Sequence, residues 1–269
     1  MLNDLQSMHI APGLRGNDRR RGDRDTASLT PADDGTPRLQ RSWLITPMLL
    51  LALLIALEST DIDRIFSFWF FDAVTLTFPW RHSFLLDSVL HHWVKYTVIL
   101  ATCIAAAMLL FTWIAPSLRP RRALLLFIVL AMTLAPLTVT ALKQVTDRPC
   151  PWDISDFGGS MPYTHLFEPR EQPHAAGLCF PAGHASTGFA LLAFYFAAWR
   201  EQRRVLARAA LVAGTAAGLL LGLARVAQGA HFLSHVLWSG LVCWLVMLVL
   251  HLLLTGNTVP ALHGAGEHQ

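Results

Sequence analysis

The chain has 269 residues, 54% of them hydrophobic and only 14% charged, with a formal net charge of +3 and a mean hydropathy of +0.43. That leaves too little polar surface to coat an ordinary soluble domain, which excludes that class and points to a polytopic membrane protein. Much of the basic charge is packed into "RGNDRRRGDRD" near the N-terminus, a pattern that bears on topology and does not call for a nucleic-acid partner.

In chain order, residues 1–42 are rich in Arg, Asp, Pro and Gly and carry no helical apolar period. They read as a disordered basic tail, with no cleavable signal peptide before them. Six apolar stretches follow, at 43–57, 96–114, 123–142, 185–199, 209–224 and 236–254. A helix needs roughly 20 residues to cross the hydrocarbon, so the shorter stretches must borrow flanking residues. The expectation is an all-α fold, a six-transmembrane-helix bundle over 43–255, ending in a flexible tail at 256–269.

Between the first two stretches, "RIFSFWFFDAVTLTFPW" belongs at the membrane interface, where aromatic residues concentrate, with a packing role. "VLHHWVK" brings His91, His92 and Lys95 together as a polar patch to which no role is assigned. "GTAAGLLLG" spaces Gly214, Gly218 and Gly222 four apart, the close-packing face of a membrane helix and not a nucleotide loop.

Orientation follows from the cations. The tail holds seven arginines, "PSLRPRR" carries Arg119, Arg121 and Arg122, and "WREQRRVLAR" carries Arg200, Arg203, Arg204 and Arg208. The positive-inside rule makes these three segments cytoplasmic, together with both termini. The segments 58–95, 143–184 and 225–235 then face the other side, the periplasm of a bacterial inner membrane.

On that side "LKQVTDRPCPWD" supplies Lys143 and Arg148, "FPAGHAS" supplies Gly183 and His184, and "LARVAQGAHFLSH" supplies Arg225, His231 and His235. Taken singly, Lys143 fits a snorkelling anchor, and a histidine at a helix start fits a polar cap. Taken together, the set suits a phosphate ester. Lys and Arg neutralise its oxygens, and Gly183 and helix-start N–H groups leave room for it and donate to it. One histidine can attack phosphorus while another protonates the leaving oxygen, without a metal or other cofactor.

These residues resemble the type-2 phosphatidic-acid phosphatase family, within the lipid phosphatase and vanadium haloperoxidase superfamily. Its three blocks are Lys, six residues and Arg-Pro; then Pro-Ser-Gly-His; then Ser-Arg, five residues, His, three residues and Asp. Here they stand as "KQVTDRPCP", "PAGH" and "ARVAQGAHFLSH", in a resemblance that covers about residues 90 to 245. It implies that His231 is the nucleophile, His184 the general acid, and Lys143 and Arg225 phosphate ligands. The chain departs from the pattern at Cys150, Ala182, Ala224 and His235, which stand for Arg, Ser, Ser and Asp. Arg148 is the expected substitute cation, and His235 the expected substitute for the aspartate that orients the nucleophile.

Among the cysteines, Cys103 and Cys243 fall in apolar helices. Cys150 and Cys179 flank the outer loop, in a compartment where disulfides persist, and are expected to pair. Cys150, His165, His174, Cys179 and His184 lack the short paired spacing of a structural zinc site. The expected function is a membrane lipid phosphatase, its partners the bilayer and a lipid phosphate. Candidate substrates are lipid A, an isoprenyl pyrophosphate, phosphatidylglycerophosphate or phosphatidate. The alternatives are a lipid phosphotransferase and a non-catalytic relative or transporter.

Overall fold

The computed structural model describes residues 41–86, 93–166, 168 and 177–255. The expectations for residues 1–40, for His91, His92 and His174, and for the tail at 256–269 lie outside them. The elements are α1 (Arg41–Glu58), α2 (Ile62–Phe68), α3 (Val94–Phe111), α4 (Arg122–Thr146), α5 (Gly183–Phe189), α6 (Ala193–Arg200), α7 (Arg204–Ala227) and α8 (Leu233–Thr255). Beyond helices and turns, the described residues contribute only isolated bridges, such as Arg148 to Leu178.

Five helical stretches are long and apolar enough to cross a membrane: α1, α3, α4 with the 3-10 turn before it, α7, and Leu233–Leu254 of α8. The remaining expected span is shorter and broken, with α5 and α6 joined through a 3-10 turn at Ala190–Leu192. Its surroundings account for this. Ala185, Ala190, Ala193 and Phe196 are fully buried, and α4, α7 and α8 pack around the stretch. An enclosed helix answers to its protein neighbours and can be short and small-residued, whereas a lipid-facing one must match the hydrocarbon.

The glycine stripe of α7 is that close contact. A Cβ at Gly218 would stand 2.3 Å from the Phe189 ring, and one at Gly222 would stand 2.2 Å from Val236 Cγ1. The α7 backbone at these glycines is therefore met directly by the Phe189 ring of α5 and the Val236 side chain of α8.

α4 and α7 both start at basic segments, where Arg122 lies 4.0 Å over the Trp113 ring and Arg204 lies 3.7 Å over Trp199. Because neighbouring helices alternate in direction, the end of α4, the start of α5, the end of α7 and the start of α8 gather at the opposite end. The aromatic stretch after α1 packs over that end. Phe78 and Phe157, both buried, lie 5.3 Å apart between ring centroids, with Phe71, Trp152 and Phe232 in the same cluster.

Candidate active site

The three sequence blocks are stitched together by the backbone. α4 ends at Asp147 in the left-handed region, φ 42°, and the Asp147 carboxylate accepts the Gly177 N–H at 2.7 Å. The Cys179 N–H donates to the Arg148 carbonyl at 3.1 Å. Cys150 and Cys179 are joined as a disulfide with Cα atoms 5.2 Å apart. The second block meets the third where the Ala182 N–H donates to the His235 carbonyl at 3.1 Å and the Ser239 hydroxyl donates to the Ala182 carbonyl at 2.9 Å. The first meets the third where the Trp152 N–H donates to the Gly229 carbonyl at 3.0 Å.

His231 sits in the corner between α7 and α8, and local chemistry makes that corner. Gly229 adopts φ 75°. Its N–H donates to the Val226 carbonyl and the Ala230 N–H to the Arg225 carbonyl, both at 2.9 Å. This paired closure is a Schellman ending, for which glycine is the natural residue. The first turn of α8 offers no side chain of its own as a cap. The buried Asp63 of α2 supplies one from a distance, accepting the Ser234 N–H at 2.9 Å.

The ring of His231 is 3% exposed and lies 6.4 Å from that of His184 between centroids. Burial, helped by His235, Lys143, His184 and Arg225 around it, holds its pKa well below the ordinary histidine range. The ring is therefore neutral at neutral pH, the state a nucleophile requires. Lys143 stands over Gly183, its Nζ 3.8 Å from where a Cβ would be. Arg225 donates to the buried Gln228 side chain at 2.8 Å and lies 5.9 Å from the Trp152 ring, which Arg81 covers at 4.5 Å. The structure thus brings Lys143, Gly183, His184, Arg225 and His231 together.

Two expected members stand differently. Arg148 turns away from this group and donates to the Thr164 hydroxyl at 2.9 Å, to the Glu168 carbonyl at 2.9 Å and to the Leu166 carbonyl. Its guanidinium braces the outer loop and lines a small cavity shared with Glu58, Asp63, Tyr163 and His235. His235 is buried in the first turn of α8, four residues after His231, their ring centroids 6.0 Å apart. It also packs edge-on against Phe180 at 5.1 Å, and no described hydrogen bond joins the two histidines.

A cavity of about 510 Å³ runs between α3 and α4, past Val98, Ile99 and Pro136, to Lys143, Gly183 and His184. A second, of about 20 Å³, lies between His184 and Arg225. Lys95 borders both. Sequence reasoning did not place Lys95, Gln228 or Asp63 in this region. Gln228 could have been found, since it stands three residues after Arg225 on the same helix face. Among the described residues, no group of three or more His, Cys, Asp or Glu is placed to hold a metal ion.

A helical bundle apolar enough for several membrane crossings, with histidines and cations gathered at one end of an apolar groove, is consistent with a multi-pass membrane protein acting on a phosphate substrate. The chain belongs to the PAP2 superfamily, which matches residues 124–258, and it is on that ground a phosphatase-type hydrolase of phosphate esters. No curated protein and no solved structure matches it.

Proposed function

We propose that the protein is a six-span lipid phosphatase of a bacterial inner membrane, with both termini cytoplasmic and the site at the periplasmic face. It removes a phosphate, or the terminal group of a pyrophosphate, from a lipid. The observation that carries this reading is the 510 Å³ groove. It is apolar along α3 and α4 and cationic where it ends, so a lipid chain lying in it brings its phosphate to Lys143 and His184.

In the proposed reaction Lys143 and Arg225 hold the non-bridging oxygens. A ring nitrogen of neutral His231 attacks phosphorus, the bond to the lipid oxygen breaks, and His184 donates a proton to that oxygen. Water, with His184 now as base, releases phosphate from the phosphohistidine. His235 takes the place of the orienting group beside His231. Arg148 acts on the loop that frames the site and not on the phosphate.

The test is phosphate release by purified protein from a panel of lipid phosphates, with EDTA present. His231→Ala abolishes turnover. His184→Ala slows it by roughly 10²- to 10⁴-fold for an alkyl ester and much less for an ester with an acidic leaving group, which needs no proton. Near-parental turnover by His231→Ala overturns the mechanism.

A further inference from the structure

We infer that Lys95 is a third phosphate-binding cation, set on the leaving-group side of the site, where it favours lipid diphosphates over lipid monophosphates. The inference rests on the phosphatase reading above and adds a substrate class to it. It starts from a deficit, because Cys150 stands at a position the family pattern gives to arginine and is committed to a disulfide. The nearby Arg148 is committed to the outer loop. The blocks therefore deliver Lys143 and Arg225 alone.

Lys95 is the second residue of α3 and lies outside the segment 124–258 that defines the family. It borders the groove where Lys143 and His184 do, and the small space between His184 and Arg225. No described residue accepts a hydrogen bond or ion pair from its ammonium. Lys95 is exposed, as a snorkelling lysine also is, and it borders two spaces that share His184.

Its side of the site follows from the same lining. His184 borders both spaces and His231 borders neither. Val98 and Ile99, one turn along α3 from Lys95, line the groove that would hold the chain. Whatever links chain to phosphorus therefore lies beside Lys95 and His184, opposite the attacking ring. In a monoester that link is one oxygen, which the proton from His184 neutralises. In a diphosphate it is the inner phosphate, with a negative charge of its own.

When His231 attacks the terminal phosphorus of a diphosphate, the bond to the bridging oxygen breaks. The electron pair goes to that oxygen, and a lipid monophosphate departs with the proton from His184. The departing phosphate already carries one negative charge and gains a second on the bridging oxygen; the proton from His184 covers one, and a fixed ammonium stabilises the other. Hydrolysis of the phosphohistidine by water completes the balance.

The experiment compares a prenyl diphosphate with the prenyl monophosphate of the same chain in detergent micelles. The enzymes are the full-length parent, Lys95→Ala and Lys95→Arg. Loss of one charge-assisted contact predicts that Lys95→Ala lowers the diphosphate-to-monophosphate ratio of kcat/KM by roughly 10- to 100-fold, with Lys95→Arg recovering most of it. Equal losses on both substrates, no loss on either, or a parent active on the monophosphate alone overturns the inference and leaves the phosphatase reading standing. A folded parent inactive on both substrates overturns the phosphatase reading, and this inference with it. If Lys95→Ala is misfolded by size exclusion, the comparison rests on Lys95→Gln and Lys95→Arg.

Discussion

At the scale of single residues, two buried ionisable groups of opposite behaviour meet at the start of α8. Burial pushes the Asp63 carboxyl from 3.8 up to about 6, although the Ser234 bonds oppose that rise. Folded protein therefore holds a proton there between those values when the unfolded chain does not. The stability this contributes is present below about pH 4 and lost as pH rises through 6. His231 runs the other way. With its folded pKa below the ordinary 6.5, the stability tied to it is present above 6.5 and declines as pH falls below that. Asp63→Asn separates the two, since an amide oxygen still accepts the Ser234 N–H but carries no charge to bury. At pH 8 the variant should melt several degrees above the parent, an effect on the order of 3 kcal/mol at most. At pH 4 the two should melt alike. Thermal unfolding in detergent at both pH values checks this, and a variant less stable at pH 8 would mean that the carboxylate is ion-paired in a way that offsets its burial.

At the scale of elements, the contact between α7 and α8 can be tested from both sides. Gly222→Ala puts a methyl group into Val236, an overpacking worth about 1–3 kcal/mol. Val236→Ala alone opens a gap, and the double variant should be more stable than the sum of the single losses predicts. Additive losses in a double-mutant melting series would show that the helices do not bear on each other there. This contact was legible in advance, because glycines four apart on an apolar helix have few other uses. So were α1, α3, α4, α7 and α8, whose apolar runs the structure extends by a few residues, except that α3 ends at Phe111 and not at 114. What the sequence hid depends on partners distant along the chain. α8 starts at Leu233 and not at 236 because Asp63, 171 residues from Ser234, caps it. Arg148 could be read as close to the site, but the acceptors at 164, 166 and 168 set where its guanidinium points. Lys95 was legible only as part of a polar patch with His91 and His92, because its place beside the groove depends on the packing of α3 against α4 and α5. The histidines and cations of the second and third blocks were legible because each is tied to a turn or helix end that its own neighbours define.

At the scale of the whole molecule, the proposed topology predicts where chemical labels land. In inverted and right-side-out vesicles, a cysteine introduced at Ser160, which is exposed in the segment between α4 and α5, should react with an impermeant maleimide from the periplasmic side. One introduced at Arg121, before α4, should react from the cytoplasm. The reverse pattern would put the site on the wrong side for the proposed function. The enclosure of α5 and α6 also bears on how the protein is made. Residues 183–200 emerge from the ribosome before α7 and α8 exist, and they open with Gly183, His184, Ser186 and Thr187, poorly suited to lipid. This stretch can settle in the bilayer only in company, so its stable insertion waits for the two helices that follow. A chain truncated after residue 204 would leave its second block stranded at the translocon and exposed to quality-control proteolysis, and the order of synthesis thereby becomes a checkpoint on assembly of the site.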